Sequence, residues 1–124
     1  MGLTFVKVKF WNPSHPEIFM EREFLVDSGA VYSLVPKPLL AELGIVPYTK
    51  KHFMVADGRS IERDLGWAFF SVDGEASPSP VIFGEPNDQF LLGVVTLESV
   101  GLMIDPINGK LKPLPMLLMA VSTR

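Results

Sequence analysis

Short apolar runs, each broken after a few residues by Pro, Gly or a polar cluster, recur along the whole chain. Runs of this length between closely spaced turn residues are typical of β-strands, which need only about four to eight residues. The pattern therefore predicts an all-β fold. The predicted strands are residues 3–10, 18–26, 31–35, 53–56, 59–72, 81–83, 90–92, 102–105 and 117–121.

Two segments depart from the strand pattern and predict short helices. Residues 37–43 follow Pro36, place their leucines on one face and end before Gly44. Proline suits the start of a helix and glycine suits the position just past its end. Residues 95–100 are closed by Gly101 in the same way. We expect these helices to be the minor part of a mostly β domain.

Two Asp-Gly pairs predict tight turns between neighbouring strands. Asp57-Gly58 lies between the predicted strands 53–56 and 59–72, and Asp73-Gly74 follows the second of them. Asp-Gly is a strong signal for a two-residue hairpin turn, because both of its central residues tolerate the positive φ that this turn requires. The segment around Asp57-Gly58 is therefore predicted to be a hairpin with a two-residue tip.

Length and hydropathy favour one domain, spanning residues 1–124, that associates with a partner. The chain is within the usual size of a single domain. Its hydrophobic content is 48% and its mean hydropathy is +0.28. A domain of this size leaves roughly a third of its unfolded-chain surface exposed. The surplus of apolar residues therefore predicts an oligomer interface.

Charge and residue types exclude several classes of function. The net charge is −3 without a basic run, so a nucleic-acid partner is not expected. The absence of cysteine excludes disulfides and thiolate catalysis. His15 and His52 are isolated, so no metal site is expected. No apolar run approaches the ~18 residues of a membrane span, and no targeting signal is evident, which predicts a soluble, cytoplasmic protein with no membrane partner.

The strongest candidate for chemistry is Asp27, which follows the apolar triplet 24–26 and precedes Ser28, Gly29 and Ala30. A carboxylate at the end of a buried strand is costly unless it is hydrogen-bonded or used. Glycine permits a close approach of the backbone, and the serine hydroxyl can brace the loop. Asp, Ser and Gly are also favoured in ordinary turns, so these residues alone fit a polar β-turn equally well.

Taken in order, the elements resemble the retropepsin-like aspartic peptidases. In that family a strand leads into Asp-Thr/Ser-Gly-Ala, a flap hairpin follows, and two apolar residues plus Gly precede a short helix. The matching segments here are residues 24–30, the hairpin at residues 57–58, and residues 91–93. Residues 31–45 look like the strand and short helix of cellular and microbial members. The resemblance covers residues 17–113.

The resemblance implies a closed β-barrel-like acid-protease lobe that acts as a C2 homodimer, without a metal or organic cofactor, on a peptide or protein substrate. The chain has one Asp-Ser-Gly, so two-fold symmetry must supply the second aspartate of the pair. Two such carboxylates share one proton, and one activates a water while the other donates to the carbonyl oxygen. The implied function is that of an aspartic endopeptidase.

The resemblance also implies a role for each matching residue. Asp27 would be the catalytic acid/base, Ser28 a brace across the dimer, and Gly29 the residue that lets substrate approach, with room left beside it by Ala30. The lid over the substrate would be formed by Ala56, Asp57 and Gly58. Leu92 and Gly93 would form the loop packed beneath the aspartate.

Two departures keep a second function open. Val31 stands where retroviral enzymes usually carry an acid, and the hairpin tip has one glycine, Gly58, between Asp57 and Arg59. The alternative is a non-catalytic dimerisation or peptide-binding module that retains the same fold. The apolar segment 113–119 is suited to the interleaved chain ends that often join dimers of this family.

Overall fold

The computed structural model describes residues 3–122 and confirms a mostly β protein with two short helices. Each helix has six residues, and Pro36 precedes the first while Gly93 precedes the second. The elements in chain order are β1 (Phe5–Trp11), β2 (Phe19–Val26), β3 (Ser33–Pro36), α1 (Lys37–Glu42), β4 (Thr49–Met54), β5 (Ser60–Val72), β6 (Glu75–Gly84), β7 (Leu91–Leu92), α2 (Val94–Ser99), β8 (Leu102–Ile104) and β9 (Leu111–Pro113).

Seven strands form one sheet in the order β1-β2-β7-β3-β6-β5-β4, and β1 also pairs with β5. Neighbours along the chain pair antiparallel, as in β1–β2 and β5–β6. The pairings β2–β7 and β3–β6 are parallel instead. The two-residue strand β7 is thus inserted between β2 and β3, although it comes from a distant part of the sequence. A separate two-stranded sheet consists of β8 and β9.

The core lies on one side of the curved sheet and is built from alternate residues of its strands. Phe10, Phe24 and Phe70 are fully buried and contact one another through their rings, with centroids 5.7 to 6.4 Å apart. Burying one such side chain stabilises a fold by about 1.5–3 kcal/mol relative to leaving it exposed. Residues 66, 68, 70 and 72 of β5 all face this core. The period-2 pattern therefore fixes which face of β5 is buried.

The strand β6 is longer than the predicted strand at residues 81–83, because it begins at Glu75. Pro78 and Pro80 obscured this part, since proline normally argues against a central strand. They are tolerated because the parallel partner β3 pairs with β6 only from Val81 onward. Before that point β6 pairs with β5 alone, so its other edge has no strand partner. Proline can be accommodated at such an edge, because no ladder bond requires its missing N–H there.

The tip of the β4–β5 hairpin differs from the predicted two-residue turn. The Gly58 N–H donates to the Val55 carbonyl oxygen at 2.9 Å, and the Val55 N–H donates to the Arg59 carbonyl oxygen at 2.9 Å. Three residues, 56–58, are therefore enclosed. Gly58 has a φ of +87°, whereas Asp73 is the one non-glycine residue with positive φ in the described chain. The two-residue turn with both φ positive occurs at Asp73-Gly74 instead.

The predicted strand at residues 117–121 is absent from the structure. Met116, Leu117, Leu118 and Met119 are each more than 70% exposed, and a strand needs a neighbour to satisfy its backbone groups. The chain forms β9 earlier, at Leu111–Pro113, where β8 supplies that neighbour. Among residues 3–122 no helix has the length and apolar character needed to cross a membrane.

Candidate functional site

The Asp27 loop is held in place by the inserted strand β7. The Asp27 N–H donates to the Leu92 carbonyl oxygen at 3.0 Å, directly beyond the parallel pairing of Val26 with Leu92. The loop then turns back, because the Ala30 N–H donates to the Asp27 carbonyl oxygen at 3.1 Å. The Gly29 N–H donates to Asp27 Oδ1 at 2.9 Å. The carboxylate is thereby oriented by backbone rather than by a mobile side chain.

The segment beneath the loop is packed so closely that only glycine fits at position 93. A Cβ on Gly93 would lie 2.5 Å from the carbonyl carbon of Tyr32, 2.6 Å from its oxygen and 2.9 Å from the Ser33 nitrogen. All three are backbone atoms, which cannot rotate away. The Val94 N–H in turn donates to the Ala30 carbonyl oxygen at 2.9 Å. Leu92 and Gly93 are thus buried next to the Asp27 loop, and the supporting role that the resemblance implies for them stays a prediction.

Three buried hydroxyl groups support the same segment from the other side. Thr96 Oγ1 lies 2.5 Å from Ser33 Oγ and 2.8 Å from Ser79 Oγ. Ser33 Oγ also accepts the Gly93 N–H at 3.0 Å. All three hydroxyl residues are at most 1% exposed, and buried hydroxyls are costly unless they are paired. This network ties α2 to β3 and β6 and fixes the position of the loop below Asp27.

A cleft of about 730 Å³ lies between the Asp27 loop and the β4–β5 hairpin. Ligand sites are commonly about 300–1,000 Å³ and mostly apolar. This cleft is apolar apart from a few polar groups, and Asp27 is the only carboxylate among its described lining residues. The lining comprises Asp27, Gly29, Ala30, Val31, Tyr32, Leu34, His52, Phe53, Met54, Val55, Ala56, Ile61, Arg63, Ile82 and Leu91.

The hairpin tip is closed by a bond within one short segment. Asp57 Oδ1 accepts the Arg59 N–H at 3.0 Å, and Asp57 Oδ2 accepts Arg59 Nε–H at 2.6 Å. Both groups are exposed. The Arg59 N–H, and then the Arg59 side chain, hold the pKa of the Asp57 carboxyl below its ordinary value. We name residues 56–59 with this bond the tip clasp.

The tip clasp should weaken in acid. Because the folded pKa of Asp57 is lowered, its contribution to stability is full above the unfolded pKa and is lost as pH falls through the folded pKa. Replacing Arg59 by Gln should raise the pKa of Asp57 only part of the way, since the backbone N–H at position 59 remains and is the larger cause. Carboxyl chemical shifts followed through a pH titration measure this change.

An internal control for that titration is Asp105. The Ile107 N–H, with help from the Lys112 charge, lowers the pKa of Asp105, at a site remote in sequence from the hairpin. The Arg59→Gln substitution should leave the Asp105 titration unchanged. An unchanged Asp57 titration in that variant would show that the Arg59 side chain does not hold the clasp.

The structure brings some of the predicted site residues together and leaves others apart. Asp27, Gly29, Ala30 and Ala56 line one cleft, as expected for a loop facing a lid. Ser28 is exposed beside Asp27 rather than in the cleft lining. Two tip residues, Asp57 and Gly58, lie beyond the described cleft lining as well.

Several cleft residues were not identified from the sequence. Tyr32, Phe53 and Ile61 form the apolar wall, with the rings of Tyr32 and Phe53 edge-on at 6.1 Å. Phe53 and Ile61 face each other across the hairpin. The alternation of residues along β4 and β5 could have indicated which side chains face the cleft. The pairing of the two strands depends on the length of the hairpin tip, however, and the sequence pattern predicted that length wrongly. Arg63 was also not identified from the sequence, although its side chain is only 26% exposed and lines the cleft.

The titratable side chains of the described chain do not form a metal-ligand cluster. Within the described range 3–122, no three His, Asp or Glu side chains gather closely enough to hold a metal ion. The two histidines lie beside single carboxylates, His15 beside Glu17 and His52 beside Glu62. The expectation of no cofactor stays a prediction.

Comparison with known proteins supports the fold and little more. No family model matches the chain, and no curated protein matches it. Among solved structures, the chain is similar to the solution structure of simian foamy virus (mac) protease, with a TM-score of 0.56 and 19% sequence identity over 77% of this chain and 92% of that chain. At this identity the similarity establishes architecture alone: the chain has a retropepsin-like, mostly β fold similar to that of a retroviral protease.

Proposed function

We propose that this protein is an aspartic endopeptidase that works as a C2 homodimer, with one Asp27 from each chain. The observation that carries the proposal is the position of Asp27, a half-buried carboxylate oriented by backbone bonds at the floor of an apolar cleft. A fold similar to a viral protease agrees with it. The substrate is a peptide or a protein segment in extended form.

The chemistry needs two carboxylates and one water. With the two Asp27 side chains about 3 Å apart, repulsion prevents both from ionising, so the pair keeps one proton. The ionised carboxylate removes a proton from the water, which attacks the peptide carbonyl carbon. The protonated carboxylate donates to the carbonyl oxygen, giving a tetrahedral intermediate. The C–N bond then breaks as the first carboxylate passes the proton it took from water to the nitrogen, and the second carboxylate recovers its proton from a hydroxyl of the intermediate. The apolar cleft keeps other water away from the reacting atoms.

The exposed apolar residues support a dimer. Phe5, Val31 and the segment 116–119 are large apolar side chains that face solvent in the single chain. A symmetric dimer buries the same patch on both subunits, which is how such surface is usually removed from water. Ser28 is exposed beside Asp27, and in the proposed dimer its hydroxyl bonds across the two-fold axis.

A second candidate is a non-catalytic peptide-binding or dimerisation module. Two observations favour it: Val31 is 61% exposed and carries no charge after Ala30, and the tip clasp ties the lid residues to one another. The second candidate shares with the first either peptide binding or dimer formation. They differ in whether a peptide bond is broken.

The test is cleavage of an unbiased peptide library by the wild-type protein between about pH 4 and 7, across a range of protein concentration. An enzyme built across a two-fold axis should show a rate per chain that rises with concentration until the dimer is saturated, because only dimers carry two aspartates. Sedimentation analysis of the same samples gives the dimer fraction. A folded, fully dimeric protein that cleaves nothing would favour the binding module.

A further inference from the structure

Two positively charged residues lie opposite each other on the two arms of the β4–β5 hairpin, beside the cleft. Lys51 of β4 pairs directly with Arg63 of β5, so the two cations face each other across the strands. Like charges at such a position repel and disfavour the pairing. Arg63 lines the cleft, and Lys51 Nζ lies 5.8 Å from the centroid of Tyr32, another lining residue. We name Lys51 and Arg63 the cationic pair.

The carboxylate nearest the cationic pair is shared with a third cation. Arg63 Nη2 forms an ion pair with Glu85 at 3.6 Å, and Glu85 is also 3.6 Å from Lys37. One carboxylate therefore faces both Lys37 and Arg63, while Lys51 stacks on an aromatic ring. The guanidinium of Arg63 is held in place through its bond from Nη1 to the Glu62 carbonyl oxygen at 2.9 Å.

The other residues of the same hairpin arms are arranged differently. Lys50 lies opposite Asp64 with a separation of 3.5 Å, and His52 lies opposite Glu62 at 3.4 Å. These cross-strand pairs bring opposite charges together, as expected for a stable hairpin. At the register position of Lys51 and Arg63, by contrast, two cations lie opposite each other, and Arg63 shares its carboxylate partner Glu85 with Lys37. An excess of positive charge beside an apolar cleft is suited to a negatively charged ligand group.

We propose that the cationic pair recognises an acidic side chain of the substrate, at a distance from the bond to be cleaved. The inference rests on the proposed function, and it adds the class of peptide that the site prefers. Arg63 binds a carboxylate well because its planar fork can donate two parallel hydrogen bonds. Apolar substrate side chains pack against Phe53 and Ile61, which line the same cleft as Asp27 and Arg63.

Arg63 and Asp27 line the same cleft, so one extended peptide can reach both of them. The acidic residue therefore lies along the same substrate as the scissile bond, some positions away from it. A two-fold axis repeats the cationic pair at both ends of the cleft, so the preference applies on either side of that bond.

The experiment compares sets of peptides that carry Glu, Gln or Lys at one position, with that position moved residue by residue away from the cleavage point. Wild type should cleave the Glu peptide with kcat/KM about three- to fivefold above the Gln peptide, in line with a solvent-accessible ion pair, and the Lys peptide least. The Arg63→Gln and Lys51→Gln variants should each reduce the Glu-to-Gln ratio. The Lys50→Gln variant is the matched control, because Lys50 is paired with Asp64 and should leave the ratio unchanged.

Binding of the same peptides to the Asp27→Asn variant separates this inference from the proposed function. Tighter binding of the Glu peptide, reduced by Arg63→Gln and by high salt, supports the anion site even if no peptide is ever cleaved. Equal binding of Glu and Gln peptides overturns it whether or not the wild type is an enzyme. A ratio that falls in Lys50→Gln as much as in Arg63→Gln also overturns it, since net charge alone would then explain the preference.

Discussion

Replacing Asp27 by Asn should abolish peptide cleavage, with a fall in kcat/KM of at least about 10³-fold. An amide can neither hold the shared proton nor accept one from water at neutral pH. The fold should be unaffected, because an amide oxygen can still accept the Gly29 N–H that Asp27 Oδ1 accepts at 2.9 Å. The measurement is the cleavage rate of a peptide from the library, with circular dichroism and dimer fraction recorded for each sample.

Asp73→Asn is the matched control for this substitution. It makes the same chemical change in the second hairpin turn, where positive φ suits Asn as well as Asp. Its activity should equal that of the wild type. Mixing equal amounts of wild type and Asp27→Asn adds a test of the dimer, since about a quarter of randomly formed dimers carry two intact aspartates. Normal cleavage by Asp27→Asn would remove Asp27 from the mechanism.

Replacing Gly93 by Ala should lower the free energy of unfolding by about 3 kcal/mol, the upper part of the range for overpacking. Backbone strain is not the reason, because the φ of −92° and ψ of 172° at Gly93 suit any residue. The reason is contact with the Tyr32 carbonyl group at 2.5 and 2.6 Å. Denaturant unfolding at one fixed protein concentration measures the loss, and the transition midpoint should shift without a change in slope.

Gly29→Ala is the control, because it adds the same methyl group to the neighbouring segment. Its Cβ would meet Asp27 Oδ1 at 3.3 Å and no backbone atom within 4 Å outside its chain neighbours. We expect a loss under about 1 kcal/mol there. Equal losses in the two variants would contradict the account of position 93 as a close backbone contact.

Local patterns in the sequence predicted the parts of the fold that depend on near neighbours. The Asp27 loop, α1 and the hairpin at Asp73-Gly74 follow from apolar runs and turn residues, and the structure has each of them. The pattern did not predict the start of β6, because proline argues against a strand unless the missing N–H faces an unpaired edge. That edge exists only because β3 is short, which no local pattern states.

The candidate site divides in the same way. The position of Asp27 at the end of β2 was a local inference, and so was the presence of a hairpin near residues 57–58, whereas its role as a lid came from the resemblance and stays a prediction. The place of Arg63 was not, because it depends on a register set by the three-residue tip, one residue longer than the pattern predicted. The hydroxyl network of Ser33, Ser79 and Thr96 joins three separate elements, and no spacing in the sequence reports such a meeting.

The insertion of β7 beside β2 has a consequence for the order of events in biosynthesis. The Asp27 N–H is bonded to Leu92, so the loop cannot take its final form until the chain has been made through residue 92. Contacts between segments this far apart close slowly compared with hairpins. A nascent chain therefore has no assembled carboxylate loop while its first strands are folding. Under the proposed function, a newly made chain should not cut its neighbours on the ribosome.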